Sequence, residues 1–181
     1  MTTFAHRVLG SAAFDVATYE EVEADRAATL QATAVVIASS LATGLGASRL
    51  GLPAPVVAAN VCMWSVVALL GWAAWAFLVL QIGGRLLPEP QTRVDAGELL
   101  RTLGFATAPG LLRVFGLFLP SLAVPLFALT SVWMIVAMIV AVRQALDYTS
   151  TLRAIAVCVI GWALAALLVI AFGLWLTPSL A

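Results

Sequence analysis

The sequence predicts an all-α, polytopic membrane protein with five transmembrane helices, N-terminus inside and C-terminus outside. Three observations predict it. Of 181 residues, 63% are hydrophobic and 10% charged, where soluble domains run nearer half and a quarter. Residues 27–48, 50–84, 114–142 and 154–181 contain no Asp, Glu, Lys or Arg, and about 20 apolar residues suffice to cross a hydrocarbon core of roughly 30 Å. The arginines are also unevenly shared between the two sides of the spans so defined.

Residues 1–14 place Phe4, Val8, Leu9 and Ala12 at helical spacing. That pattern suits a short helix on the membrane surface, or a frayed tail, because its apolar face is narrow. Thr18-Tyr19-Glu20-Glu21 reads as a capping box that starts one helix running from Tyr19 into the first span, about 30–48. His6 and Arg7 precede only a weakly apolar stretch ending at Asp15, so the first span is expected to act as its own insertion signal. The second span, about 57–82, begins after Pro53-Ala54-Pro55 and ends at Gly83-Gly84, with Pro88 and Pro90 beyond. Asp95 and Glu98 can cap the third, about 99–119, which Pro109-Gly110 interrupts. Pro120 separates it from the fourth, about 122–142, and the loop 143–153 leads to the fifth, about 154–176.

With the N-terminus inside, the cytoplasmic segments hold Arg7, Arg26, Arg85, Arg93, Arg101, Arg143 and Arg153, the outer loops only Arg49. The positive-inside rule therefore fixes the orientation, N-terminus inside and C-terminus outside. Trp64 and Trp175 then fall near the outer interface, and Cys62 and Cys158 near opposite faces, too far apart for a disulfide.

The composition excludes several classes. No lysine and no basic tail suggest nucleic acid. One histidine and two cysteines cannot build the usual zinc or haem site, so no metal and no cofactor are expected. No Ser/His/Asp set and no paired intramembrane carboxylates support hydrolysis, and the protein is not expected to be an enzyme.

Two constellations remain. Arg113 is the one formal charge well inside a span, four residues after Pro109. Either it snorkels to the outer headgroups, or the Pro109-Gly110 break lines a polar cavity in which Arg113 holds an anion or lipid phosphate. At the inner face, Glu20, Glu21, Glu23 and Asp25 could meet Arg101, Arg143, Asp147 and Arg153 as a solvated salt-bridge collar or as a docking surface. Small residues at Ser40-xxx-Gly44-xxx-Ser48, Gly104-xxx-Ala108, Ala137-xxx-Ala141 and Gly161-xxx-Ala165 let helices approach closely. They support a compact bundle and self-association.

Three stretches carry a family resemblance: residues 17–25 (Ala-Thr-Tyr-Glu-Glu-Val-Glu-Ala-Asp) leading to Gln31-Ala32; residues 100–112, with Arg101-Thr102-Leu103-Gly104-Phe105-Ala106-Thr107-Ala108-Pro109; and residues 142–146 with 152–157. Together with five spans they resemble the prokaryotic branch of the Yip family, the Yip-one-type domain whose eukaryotic members interact with Rab GTPases. The resemblance implies a five-span bundle with a cytoplasmic N-terminus, and in eukaryotes roles in vesicle traffic and membrane shaping. That branch's long cytosolic N-terminal region and Asp-Leu-Tyr-Gly-Pro-type motif are not in this sequence, so a Rab-type partner is not carried over. It supplies no catalytic residues.

The leading expectation is therefore a non-enzymatic membrane scaffold or adaptor, pairing with copies of itself or another membrane protein. The alternative is a small channel, transporter or lipid-handling protein that uses the Pro109-Gly110 break and Arg113.

Overall fold

A computed structural model describes residues 3–47 and 53–176, and every described element is helical. Arg49 lies outside the described residues, as do the side chains of Asn60, Trp64 and Trp175. Seven α-helices follow in order: α1 (Phe4–Ala12), α2 (Val16–Ala24), α3 (Ala28–Ala47), α4 (Ala54–Gln81), α5 (Ala96–Phe105), α6 (Ala123–Ala145) and α7 (Thr151–Leu176). Four stretches are long and apolar enough to cross a membrane: Ala28–Gly46, Pro55–Leu86, Pro120–Ala145 and Thr151–Leu168.

The N-terminal region is two short helices, not one helix continuing into the first span. Thr3 accepts from the His6 N–H and starts α1. Asp15, rather than Thr18, caps α2, accepting from both the Thr18 N–H at 3.3 Å and its hydroxyl at 2.6 Å. Because Asp15 starts the helix one turn earlier, the amides that Thr18 would have capped are already bonded within the helix, as Tyr19 N–H is to the Asp15 carbonyl. Asp25 then breaks the helix in an extended conformation, its carboxylate accepting from the Ala27 N–H at 2.9 Å. Between α1 and α2 the chain reverses through Phe14, at φ 63°.

The third apolar stretch departs most from a simple span. The Asp95–Glu98 capping box forms as the sequence predicts, with bonds of 2.9 and 2.8 Å. α5 nevertheless ends at Phe105, and the chain rewinds as a 3₁₀ segment over Ala108–Leu117. Pro109 supplies the reason: it has no N–H to give back, and its ring opposes the carbonyl four residues earlier.

Small residues set how these pieces pack. Ser40 and Ser65 hydrogen-bond at 2.9 Å, and a Cβ added at Gly44 would come 3.0 Å from Val61, so α3 and α4 run antiparallel. α3 also meets the broken segment in step. Gly104 sits against Ala32, Gly110 against Ser39, and Gly116 against the Gly46 carbonyl. From Ala32 to Gly46, α3 rises about 21 Å, so the two run parallel over that distance. α6 returns antiparallel to the break, with Met134 near Gly110 and Ala123 near Gly116. α7 closes the C-terminal half of α4, where Trp75 and Trp162 stack at 5.9 Å and a Cβ at Gly161 would press on Trp75. The main core holds Tyr19, Val79, Leu99, Leu103, Ala137, Ala141, Val157 and Cys158.

Loop geometry at the C-terminal end of α4 is tied down by hydrogen bonds. α4 ends in a π-helical turn, Ile82–Leu86, and the Tyr148 hydroxyl donates to the Gly83 and Leu87 carbonyls at 2.9 and 2.8 Å. Glu89 accepts from the Thr149 N–H and hydroxyl at 3.0 and 2.8 Å.

Candidate functional site

Arg113 enters the bundle from the 3₁₀ segment, placed by the Pro109-Gly110 break that ends α5. Close approach is possible because Gly46 and Gly110 carry no side chain. A Cβ on Gly46 would overlap the Arg113 carbonyl oxygen, and one on Gly110 would overlap the Ser39 hydroxyl. The guanidinium turns inward rather than lying free along the surface. Its Nε donates to Thr130 Oγ1 at 2.9 Å, Nη1 to Thr43 Oγ1 at 3.2 Å and Nη2 to Ser131 Oγ at 2.8 Å. Its Cζ lies 4.2 Å from the Phe127 ring centroid, within range of a cation–π attraction.

Three hydroxyls hold the cation, and no carboxylate neutralises it among the described residues. A guanidinium has five N–H donors, so two remain beyond these three bonds. A charge set among long apolar helices normally faces a partner or a polar cavity. Here it borders a groove of about 820 Å³, within the range of small-molecule sites. Thr43 touches Arg113 directly, with Ser39 and Ser40 on the preceding turn of α3; the rest of the lining is mostly apolar, with Val61, Ala68, Gly71, Trp72 and Met134. The Trp75 indole N–H meets the Met138 sulfur at 3.2 Å and closes the far end. Val67 and Phe127, which also line the groove, are each about half exposed.

The inner-face residues are drawn together, though mostly not as pairs of first-helix acids with loop arginines. Glu21 and Asp25 both pair with Arg7, each at 2.8 Å, and Arg7 also donates to Gln31 at 3.0 Å. Arg7 is 3% exposed, and the Glu21 contact raises its pKa further. Arg101 donates through Nε and Nη2 to the Glu23 backbone carbonyl. Arg143 turns to the Tyr148 and Thr149 carbonyls, and Arg153 to the Pro88 carbonyl at 2.8 Å with Glu89 at 3.5 Å. Gln144 reaches Glu20 at 3.1 Å, and the Asp147 carbonyl accepts from Gln91 at 3.0 Å.

Glu23 is left facing other acids. Burial, together with Glu98 and Asp147, pushes its carboxyl up to about 7 against Arg101, which pulls the other way. Glu89 is held low, first by the Thr149 amide.

The sequence marks Arg113, Pro109 and Gly110, but not the hydroxyls that hold the cation. Thr43, Thr130 and Ser131 lie in other spans and read there as ordinary small residues. One sign was available: Thr130-Ser131 is the only adjacent pair of hydroxyls in the charge-free stretch 114–142. No family model, curated protein or solved structure matches this chain, so its placement rests on its own residues and geometry.

Proposed function

We propose that this chain is a five-span, inner-membrane protein, N-terminus inside and C-terminus outside, that holds an anionic group within the bilayer at Arg113. It works as a non-enzymatic carrier or lipid-handling protein. The observation carrying this reading is the guanidinium held by three hydroxyls, with no acid to neutralise it among the described residues, beside an 820 Å³ groove. An embedded cation whose donors exceed its protein partners is suited to an anion from outside the chain.

The fifth crossing is supported by the parallel run of the broken segment along α3. Laid end to end, α5 and the 3₁₀ segment reach about 35 Å, enough to cross the hydrocarbon core. The arginine distribution supports the orientation, and the Yip-type assignment rests on the three stretches quoted above. Reporters fused to the two termini test the topology directly. Opposite sides are expected, and both termini on one side would mean four crossings. Proteoliposome flux of an anionic solute or lipid, compared between the parent and Arg113→Gln, tests the activity; identical transport in the two would remove Arg113 from it.

A second reading, a self-associating scaffold or adaptor, is supported by the far half of α7. There Leu164, Leu167, Leu168 and Ile170 are all exposed and touch little of the bundle. Cysteine crosslinking at Leu167 in native membranes is expected to capture a multimer on this reading, and recovery of monomer alone would count against it.

A further inference from the structure

The groove beside Arg113 contains a gap that its own packing does not require. Gly71 lies in the middle of α4, where glycine weakens a helix by about 1 kcal/mol relative to alanine. Elsewhere such a loss has a visible reason: a Cβ at Gly44, Gly104 or Gly161 would press on Val61, Ala32 or Trp75. At Gly71 alone among the described glycines, an added Cβ meets nothing within 4 Å. Gly71 is exposed and is one of the residues lining the groove.

The groove also sets one charged point, Arg113 with Thr43, on a mostly apolar wall, which suits an amphiphile. Arg113 and Thr43 stand toward the α3–α4 connection; Gly71, Trp72 and Met134 follow, and Trp75 with Met138 form the floor. From Phe127 to Met138 α6 rises about 16 Å, close to the ~15 Å depth of one leaflet. Val67 and Phe127, both half exposed, leave the groove accessible from outside the bundle.

We infer that the occupant is an anionic phospholipid of the leaflet next to the α3–α4 connection, its phosphate on Arg113 and one acyl chain along Gly71 to the Trp75–Met138 floor. On the proposed orientation this is the outer leaflet. The inference rests on the reading of Arg113 as an anion site and adds the chemical class of its ligand. Two free guanidinium donors match two oxygens of one phosphate. A net-anionic lipid neutralises the cation, whereas a zwitterionic lipid brings a second cation into the same apolar surroundings.

The test titrates delipidated full-length protein with phosphatidylglycerol, phosphatidylcholine and inorganic phosphate, read by native mass spectrometry and ligand-induced thermal shift. The parent is expected to retain one phosphatidylglycerol and to prefer it over phosphatidylcholine. Arg113→Gln and Gly71→Phe are each expected to weaken that binding at least about tenfold, equivalent to 1.4 kcal/mol. Gly71→Phe fills open space in a helix, so its fold should survive even where Arg113→Gln does not. Parent-like lipid binding by Gly71→Phe, or equal binding of phosphatidylcholine, overturns the inference. Phosphate binding without lipid binding overturns it too, and leaves the anion site standing. Lipid binding unaffected by either variant overturns both.

Discussion

Replacing Thr130 by valine isolates one strand of the argument. The side chain is fully buried, its Oγ1 accepts from Arg113 Nε at 2.9 Å, and its own hydroxyl hydrogen goes to the Leu126 carbonyl at 2.8 Å. Valine keeps the shape and removes the acceptor, leaving a charged N–H without its partner. Hydrogen bonds to charged groups contribute about 1.5–3 kcal/mol in soluble proteins, but polar pairs inside membranes average about 0.6 with a ceiling near 1.7. Since Thr43 and Ser131 stay in place, the membrane figure governs, and a loss of about 1–1.5 kcal/mol is expected. For a chain of this size that lowers the melting temperature by roughly 2–6 °C. Cys158, buried on α7, provides the assay: in a Cys62→Ser background, a thiol-reactive dye reports its exposure on heating. The same substitution made on Arg113→Gln should do almost nothing, because the bond is already absent. An unchanged melting temperature in the parent background, or an equal drop in both, would refute Thr130 as a support of the cation.

Other outcomes follow from the inner face. Arg7→Gln removes the cation that ties α1 to Glu21 and Asp25, and should speed hydrogen exchange in residues 4–24 while leaving α6 and α7 protected. Glu23, raised to about 7 from an ordinary 4.5, keeps a proton in the folded state that the unfolded chain has lost. Docking of α2 should therefore be strongest below about pH 4.5 and weaken as pH climbs through about 7, by on the order of 1 kcal/mol once solvent screening is allowed for. Limited proteolysis across that range measures it, and Glu23→Gln should flatten the profile. Tyr148→Phe withdraws the donor shared by the Gly83 and Leu87 carbonyls and should destabilise the protein by about 1–1.5 kcal/mol, seen in the same dye assay.

How much of this could be read from residues alone differs by element. The four long apolar helices were legible because charge-free length is a property of the sequence itself, and the Asp95–Glu98 cap because its two partners are three residues apart. The helix break near residue 107 was legible in Pro109, though the 3₁₀ rewinding after it was not: it depends on α3 presenting Ser39 and Gly46 to a backbone that comes close. The Asp25 break was missed for a related reason. Asp25 ends α2 by bonding Ala27 and pairing with Arg7, a contact across 18 positions that no local pattern announces. The cage around Arg113 joins residues 43, 113, 130 and 131, so only the fold can assemble it.

The parallel pairing of α3 with the broken segment has a consequence for how the protein is made. Neighbours that run the same way cannot form a hairpin, so α3 must wait for α4 and the connection over 87–95 before its Ser39–Gly46 face is covered. Arg113 waits longer: Thr43 has already been synthesised when it emerges, but Thr130 and Ser131 follow 17 and 18 residues later. Its cage is complete only when α6 packs beside it, which makes the segment from Ala96 to Ala145 a natural unit of assembly.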